Sequence, residues 1–185
     1  MKRRHLLGVA AIVLAAGCAN PINRVTYDRY KDMCNQGAEE ACYRAWVNTR
    51  IGMLGPELES QALYNWGVER TRQRKYAEAE EPLLASLKLE EGLEVRSDER
   101  IGRRLAQLAI AAVQQGKIDA GLIYMERLIP LVNLYQGHER RVVAALCAGY
   151  SEELRKRGEA ERAQSYEAKV QELGFDIKTM KKGET

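Results

Sequence analysis

The chain has 185 residues, 29 Lys plus Arg against 26 Asp plus Glu, and a formal net charge of +3. The three basic residues Lys2, Arg3 and Arg4 account for the whole surplus, so everything after them is formally neutral. A surface built to displace counterions from phosphates carries a basic excess, so no nucleic-acid partner is expected, and the length suits one domain or a short repeat array.

Lys2–Arg4 and the apolar stretch Leu6–Ala16 read as a targeting segment. That stretch falls well short of the roughly 20 apolar residues needed to cross a bilayer, and it suits the apolar core of a secretory signal. No other stretch approaches membrane-spanning length. The run ends in Leu14-Ala15-Ala16-Gly17-Cys18, which resembles the lipobox of bacterial lipoproteins, with Ala15 where Leu is the commonest choice. The resemblance implies that 1–17 is removed and that Cys18 becomes the acylated first residue of a lipidated N-terminus and tether, 18–29. Two or three acyl chains anchor stably, at about 0.8 kcal/mol per buried methylene, where one would not. Ala19 replaces the Asp that retains such proteins at the inner membrane, implying an outer-membrane site facing the periplasm. The other reading is an ordinary secretory signal cut near Ala16, leaving Cys18 free.

The segment 30–50, containing "YKDMCNQGAEEACYRAW", reads as helix, turn and helix. Gly37 can take the left-handed conformation that stops a helix, and Glu39 and Glu40 suit the start of the next. Tyr30, Gly37, Ala41 and Tyr43 fall in register with the Sel1-like repeat, which this stretch resembles. Cys34 and Cys42 occupy positions paired in the cysteine-rich members of that family, so the resemblance implies a disulfide between them. An oxidising compartment would preserve such a bond, and positions flanking a chain reversal can approach as it requires. With Cys18 acylated, Cys147 is left as the odd thiol.

After a linker, 51–59, turn positions recur at Arg74, Gly116 and Gly158, a period of 42 residues. Each is flanked by two helical patterns, with apolar residues at helical spacing such as Leu105, Leu108, Ala109 and Ala112. Residues 60–173 therefore read as three repeats. The first closely resembles a tetratricopeptide repeat: Tyr64-Asn65-Trp66-Gly67 matches its first helix, and Tyr76, Glu78 and Ala79 match the start of its second. Small residues persist at Ala109 and Gly121 in the second unit and at Ser151 and Ala163 in the third. The period matches the kinesin-light-chain type, which has an extra loop between helix pairs; "GLEVRSDER" and "LYQGHERRV" stand where it should be. The expected fold is all-α, an α-solenoid of antiparallel helix pairs in a tetratricopeptide-like superhelix, with a frayed tail, 174–185.

Little catalytic chemistry is legible. Past the signal the one histidine is His138, in an expected loop, and the carboxylate pairs Glu80-Glu81, Glu90-Glu91 and Glu152-Glu153 read as solvated faces. Cys147 falls in a core slot of the third unit. Nucleophile elbows, phosphate loops and metal-ligand spacings are absent, so no catalytic residue, metal or cofactor is expected. The tetratricopeptide resemblance implies a concave groove lined by Tyr64, Val68, Arg72, Arg103, Gln107, Ile110, Gln114, Glu152 and Arg155. Such a lining suits an extended peptide or a helix. The expected function is a lipid-anchored adaptor for a protein partner in an envelope assembly of the pilus, secretin or outer-membrane class. The rival expectations are a cell-wall-related ligand-binding protein or enzyme of the cysteine-rich Sel1-like kind, and a structural subunit that associates with its own copies.

Overall fold

The structure, a computed structural model, describes residues 21–181. The signal segment 1–17, Cys18 and the residues up to 20 lie outside the described residues, as do 182–185. The described residues form an all-α solenoid of antiparallel helix pairs: α1 (Pro21–Asn35), α2 (Glu39–Ile51), α3 (Pro56–Arg72), α4 (Tyr76–Glu91), α5 (Asp98–Gln114), α6 (Ile118–Leu128), a 3-10 segment (Ile129–Leu134), α7 (Gly137–Lys156), α8 (Ala160–Glu172) and the short α9 (Ile177–Lys181). Each helix from α1 to α8 packs on the next, and α1, α3, α5 and α7 also touch in succession. The odd-numbered helices thus form one layer and the even-numbered helices the other.

One local device closes every pair. At Gly37, Arg74, Gly116, Gly158 and Gly174 the backbone turns to positive φ, between 60° and 90°. The following amide then reaches back to a carbonyl in the helix just ended: Lys75 N to Arg70 O, Lys117 N to Ala112 O and Glu159 N to Leu154 O, each 2.9 Å. This satisfies carbonyls that the helix end would otherwise leave unpaired. The residues at the 42-residue period therefore share one geometry, and Arg74 adopts it without the freedom of glycine.

Packing explains why small residues recur. Gly67 lies against Leu83, where a Cβ would stand 2.5 Å from Leu83 Cγ. A Cβ on Gly121 would collide with the hydroxyl of Tyr150, which donates to the carbonyl of Ala109 at 2.8 Å. Leu105, Leu108, Ala109 and Ala112 are buried, as their spacing predicts, and Cys147 lies in the same core. Surface ion pairs recur between successive turns, Lys75–Glu39 (2.7 Å), Lys117–Glu80 (2.7 Å) and Arg157–Asp119 (2.8 Å). Each is exposed enough to add well under about 1 kcal/mol.

Four boundaries differ from the sequence reading. The expected tether is helical from Pro21, because Tyr27 buries itself against Ala45 and Ala62 and so extends the hairpin backwards. The linker 51–59 shrinks to 52–55, since Pro56 sits in the first turn of α3, where its missing N–H costs nothing. His138 stands in the first turn of α7 rather than in a loop. The tail does not fray over 175–181: Phe175, Ile177 and Met180 pack on the main core, and Asp176 Oδ1 accepts from the amides of Lys178 (2.7 Å) and Thr179 (3.2 Å) to start α9. Helix α9 contacts α7 as a further member of the odd-numbered layer, capping the array.

Candidate functional site

Residues at helical spacing on α3, α5 and α7 converge on one hollow of 230 Å³. Tyr64, Val68 and Arg72 come from α3, Arg103 and Gln107 from α5, and His138, Glu139 and Val142 from α7; Tyr135 closes one side. A second hollow continues along the same layer, sharing Val142 and lined by Ile110, Gln114, Ala145 and Glu152 among others. Eight of the nine groove residues named from sequence thus line these two hollows. The ninth, Arg155, lies outside both and is held by Glu167 of α8 at 2.7 Å and 3.0 Å.

The hollow has a fixed floor and a freer rim. Arg103 is committed on both sides, with Nε donating to Glu139 (2.7 Å) and Nη2 to Glu99 (2.5 Å), so it ties α5 to α7. Tyr135, between the 3-10 segment and α7, adds a tie to α5 through its hydroxyl, which donates to the carbonyl of Glu99 at 2.9 Å. A Cβ on Gly102 would strike that hydroxyl, which is why the position is bare. Burial raises the pKa of Tyr64, and the nearby Arg104 opposes the rise. Arg72 is exposed at the rim, with Glu69 3.4 Å away. The hollow presents an aromatic ring, the apolar Val68 and Val142, and polar groups at its edges.

Beneath Tyr64 lies a buried polar network that sequence reasoning missed. Arg104 and Glu90 are each only 1% exposed. Arg104 Nη2 stands 3.2 Å from Glu90 Oε2 and donates to Ser60 Oγ at 2.9 Å. Its Nε donates to Ser86 Oγ (2.8 Å) and its Nη1 to the carbonyl of Arg100 (2.8 Å). Glu90 also accepts from Arg100 Nε at 2.7 Å. The expectation of a solvated Glu90 is therefore corrected: a carboxylate can be buried here because two guanidiniums and the Ser60 hydroxyl meet it. The Arg104 guanidinium sits 5.1 Å from the centre of the Tyr64 ring, so the network supports the groove floor. Burial lowers the Arg104 pKa, and Glu90 opposes the fall.

A separate aromatic hollow of 750 Å³ lies among α2, α3 and α4. Trp46 and Trp66 stack at 5.5 Å between ring centres, Tyr43 meets Trp66 edge-on at 5.2 Å, and Arg50 lies over Trp46. The spacing of Tyr43 and Trp46 on one helix was the available signal. Cys34 and Cys42 are joined by a disulfide across the first turn, with Cα atoms 4.6 Å apart. Among the described residues, no group of three or more His, Cys, Asp or Glu could hold a metal ion. No described helix is long and apolar enough to cross a membrane. No protein-family model matches the chain, and no curated protein is significantly similar to it.

Proposed function

We propose that this protein is a lipid-anchored adaptor of the bacterial envelope, built of tetratricopeptide-type repeats, that holds a segment of a protein partner in the groove of its odd-numbered helices. The observation that carries the reading is the convergence of side chains from α3, α5 and α7 on one hollow, with a second beside it that shares Val142. A floor carried on the buried Arg104–Glu90 network and a rim left open is what a preorganised peptide site requires, since ordering the site at binding would cost affinity. The recurrent turn geometry at Arg74, Gly116 and Gly158 supports the repeat assignment. The anchor rests on the lipobox resemblance at Cys18, and the disulfide fits an oxidising periplasm.

The test is crosslinking in the native envelope, followed by pull-down of a C-terminally tagged copy and mass spectrometry. The comparison is Val68→Glu with Arg72→Glu, which alters the rim and spares the Arg103 and Arg104 contacts. One dominant envelope protein, lost in the variant, supports the adaptor. A partner list unchanged by the variant overturns the groove as the working surface, and recovery of the protein alone favours self-association.

A further inference from the structure

Large apolar side chains are exposed unevenly along the molecule. Five among the described residues are at least 70% exposed: Val95 (81%), Met53 (77%), Ile22 (72%), Ile51 (71%) and Val25 (70%). Four of these five belong to one end of the first hairpin. The disulfide between Cys34 and Cys42 marks the turn end of α1 and α2, so the start of α1 and the end of α2 lie together at the opposite end. Contact between Asn23 and Gly52 places them side by side, since a Cβ on Gly52 would stand 2.7 Å from that of Asn23. Ile22 and Val25 therefore share a tip with Ile51 and Met53, flanked by Arg24 and Arg50, whose side chains are 52% and 64% exposed and lie beside Asp28 (3.1 Å) and Glu59 (3.7 Å).

Folding does not account for these choices. Met53 sits at φ 47°, in the left-handed region, where glycine or asparagine would be less strained, and its side chain points to solvent. Its neighbours on the tip contribute little burial. Exposed apolar residues concentrated at one end of a hairpin mark a surface that something else covers.

The chain itself indicates what covers it. Three residue steps separate Cys18 from Pro21, a contour of about 11 Å at most. Resting on the reading of Cys18 as the lipid anchor, we infer that the tip formed by Ile22, Val25, Ile51 and Met53 seats in the phospholipid bilayer surface. Acyl chains buried in the bilayer then hold the start of α1 within that contour of the headgroups. Apolar side chains at such a surface sink into the headgroup and acyl boundary, while arginines flanking them reach the phosphates. The contact would set the hairpin upright and give the anchor a fixed orientation rather than a free swivel.

The experiment uses the full chain, processed from its own signal, extracted and reconstituted in vesicles of phosphatidylethanolamine and phosphatidylglycerol. One variant carries Met53→Cys and a control carries Ala160→Cys, an exposed site beside the Gly158 turn on the opposite edge of the stack. Each is labelled with an environment-sensitive fluorophore without denaturant, which leaves the buried Cys147 unreacted. Nitroxide-bearing lipids should quench the probe at position 53, with a blue-shifted emission, and leave the probe at 160 bright. Equal quenching at both sites, or none at 53, overturns the tip contact. The mass of the mature N-terminal peptide separates the two readings. An acylated Cys18 with an unquenched tip refutes the inference alone, whereas an unmodified Cys18 removes the anchor and the inference with it. Ile51→Asp with Met53→Asp should leave the melting temperature unchanged; a marked fall would show that the tip serves the fold instead.

Discussion

Glu90→Ala removes the carboxylate from beneath the groove and leaves the Arg104 guanidinium 1% exposed with only two hydroxyls and a carbonyl for partners. Breaking a buried ion pair from one side costs about 3–5 kcal/mol, because the remaining charge stays desolvated. For a chain of this size 1 kcal/mol corresponds to roughly 2–4 °C in melting temperature, so the expected fall is on the order of 10 °C. The double replacement Glu90→Leu with Arg104→Met should behave differently. Ser60 Oγ still donates to the carbonyl of Ser86 (3.0 Å) and Ser86 Oγ to that of Ser60 (2.7 Å), so neither hydroxyl is orphaned. Arg100 keeps Glu57 at 3.3 Å. The double variant should therefore lie within about 1–2 kcal/mol of the parent or above it. Urea unfolding followed by circular dichroism on the parent, Glu90→Leu, Arg104→Met and the double closes the cycle. A single-variant loss below about 1 kcal/mol, or a double variant as unstable as the sum of the singles, refutes the claim that the charges depend on each other.

Arg74→Gly should stabilise the first repeat by about 0.5 kcal/mol in thermal unfolding: the left-handed backbone at φ 60° costs an ordinary residue about 1–2 kcal/mol, and glycine returns about 0.5–1 of that as chain entropy. Reducing the Cys34–Cys42 bond closes off a constraint on a nine-residue loop, and the chain-entropy model predicts a loss of about 2.5 kcal/mol, read as a lower urea midpoint with dithiothreitol. Burial pushes the Cys147 thiol up to about 12 from 9.0. The folded chain thus keeps a proton that the unfolded chain gives up, so this contribution is whole below pH 9 and is lost as pH rises towards 12. Cys147→Ala should flatten the alkaline fall in stability across that window, by a few kcal/mol at most at its upper end, and iodoacetamide should label Cys147 only on unfolding; rapid labelling of the native chain would contradict its burial.

Periodic features were legible because they are local. The turn at Arg74, Gly116 and Gly158 depends on φ at one residue and a bond to a carbonyl within the same helix end, so it leaves its mark at every 42nd position. The groove positions came from the tetratricopeptide resemblance, and eight of the nine line the two hollows because residues at helical spacing on α3, α5 and α7 share one face. Arg155 escaped because its partner, Glu167, lies across the turn on α8 and draws the guanidinium away from the hollow.

The all-α class, the small-residue crossings and the three-unit period were determined by the sequence itself, because each follows from spacing within one or two helices. Only the tertiary structure decided the fate of Glu90, whose neighbour in sequence, Glu91, stays at the surface paired with Arg127. Whether a glutamate faces water or a buried guanidinium depends on Ser60, 30 residues before it, and Arg104, on the next helix. The same holds for the helical tether and the docked tail, where Tyr27 and Phe175 find apolar partners that no local pattern announces. Burial is a property of neighbours brought together by stacking, and stacking is what the chain acquires only once the repeats are in place.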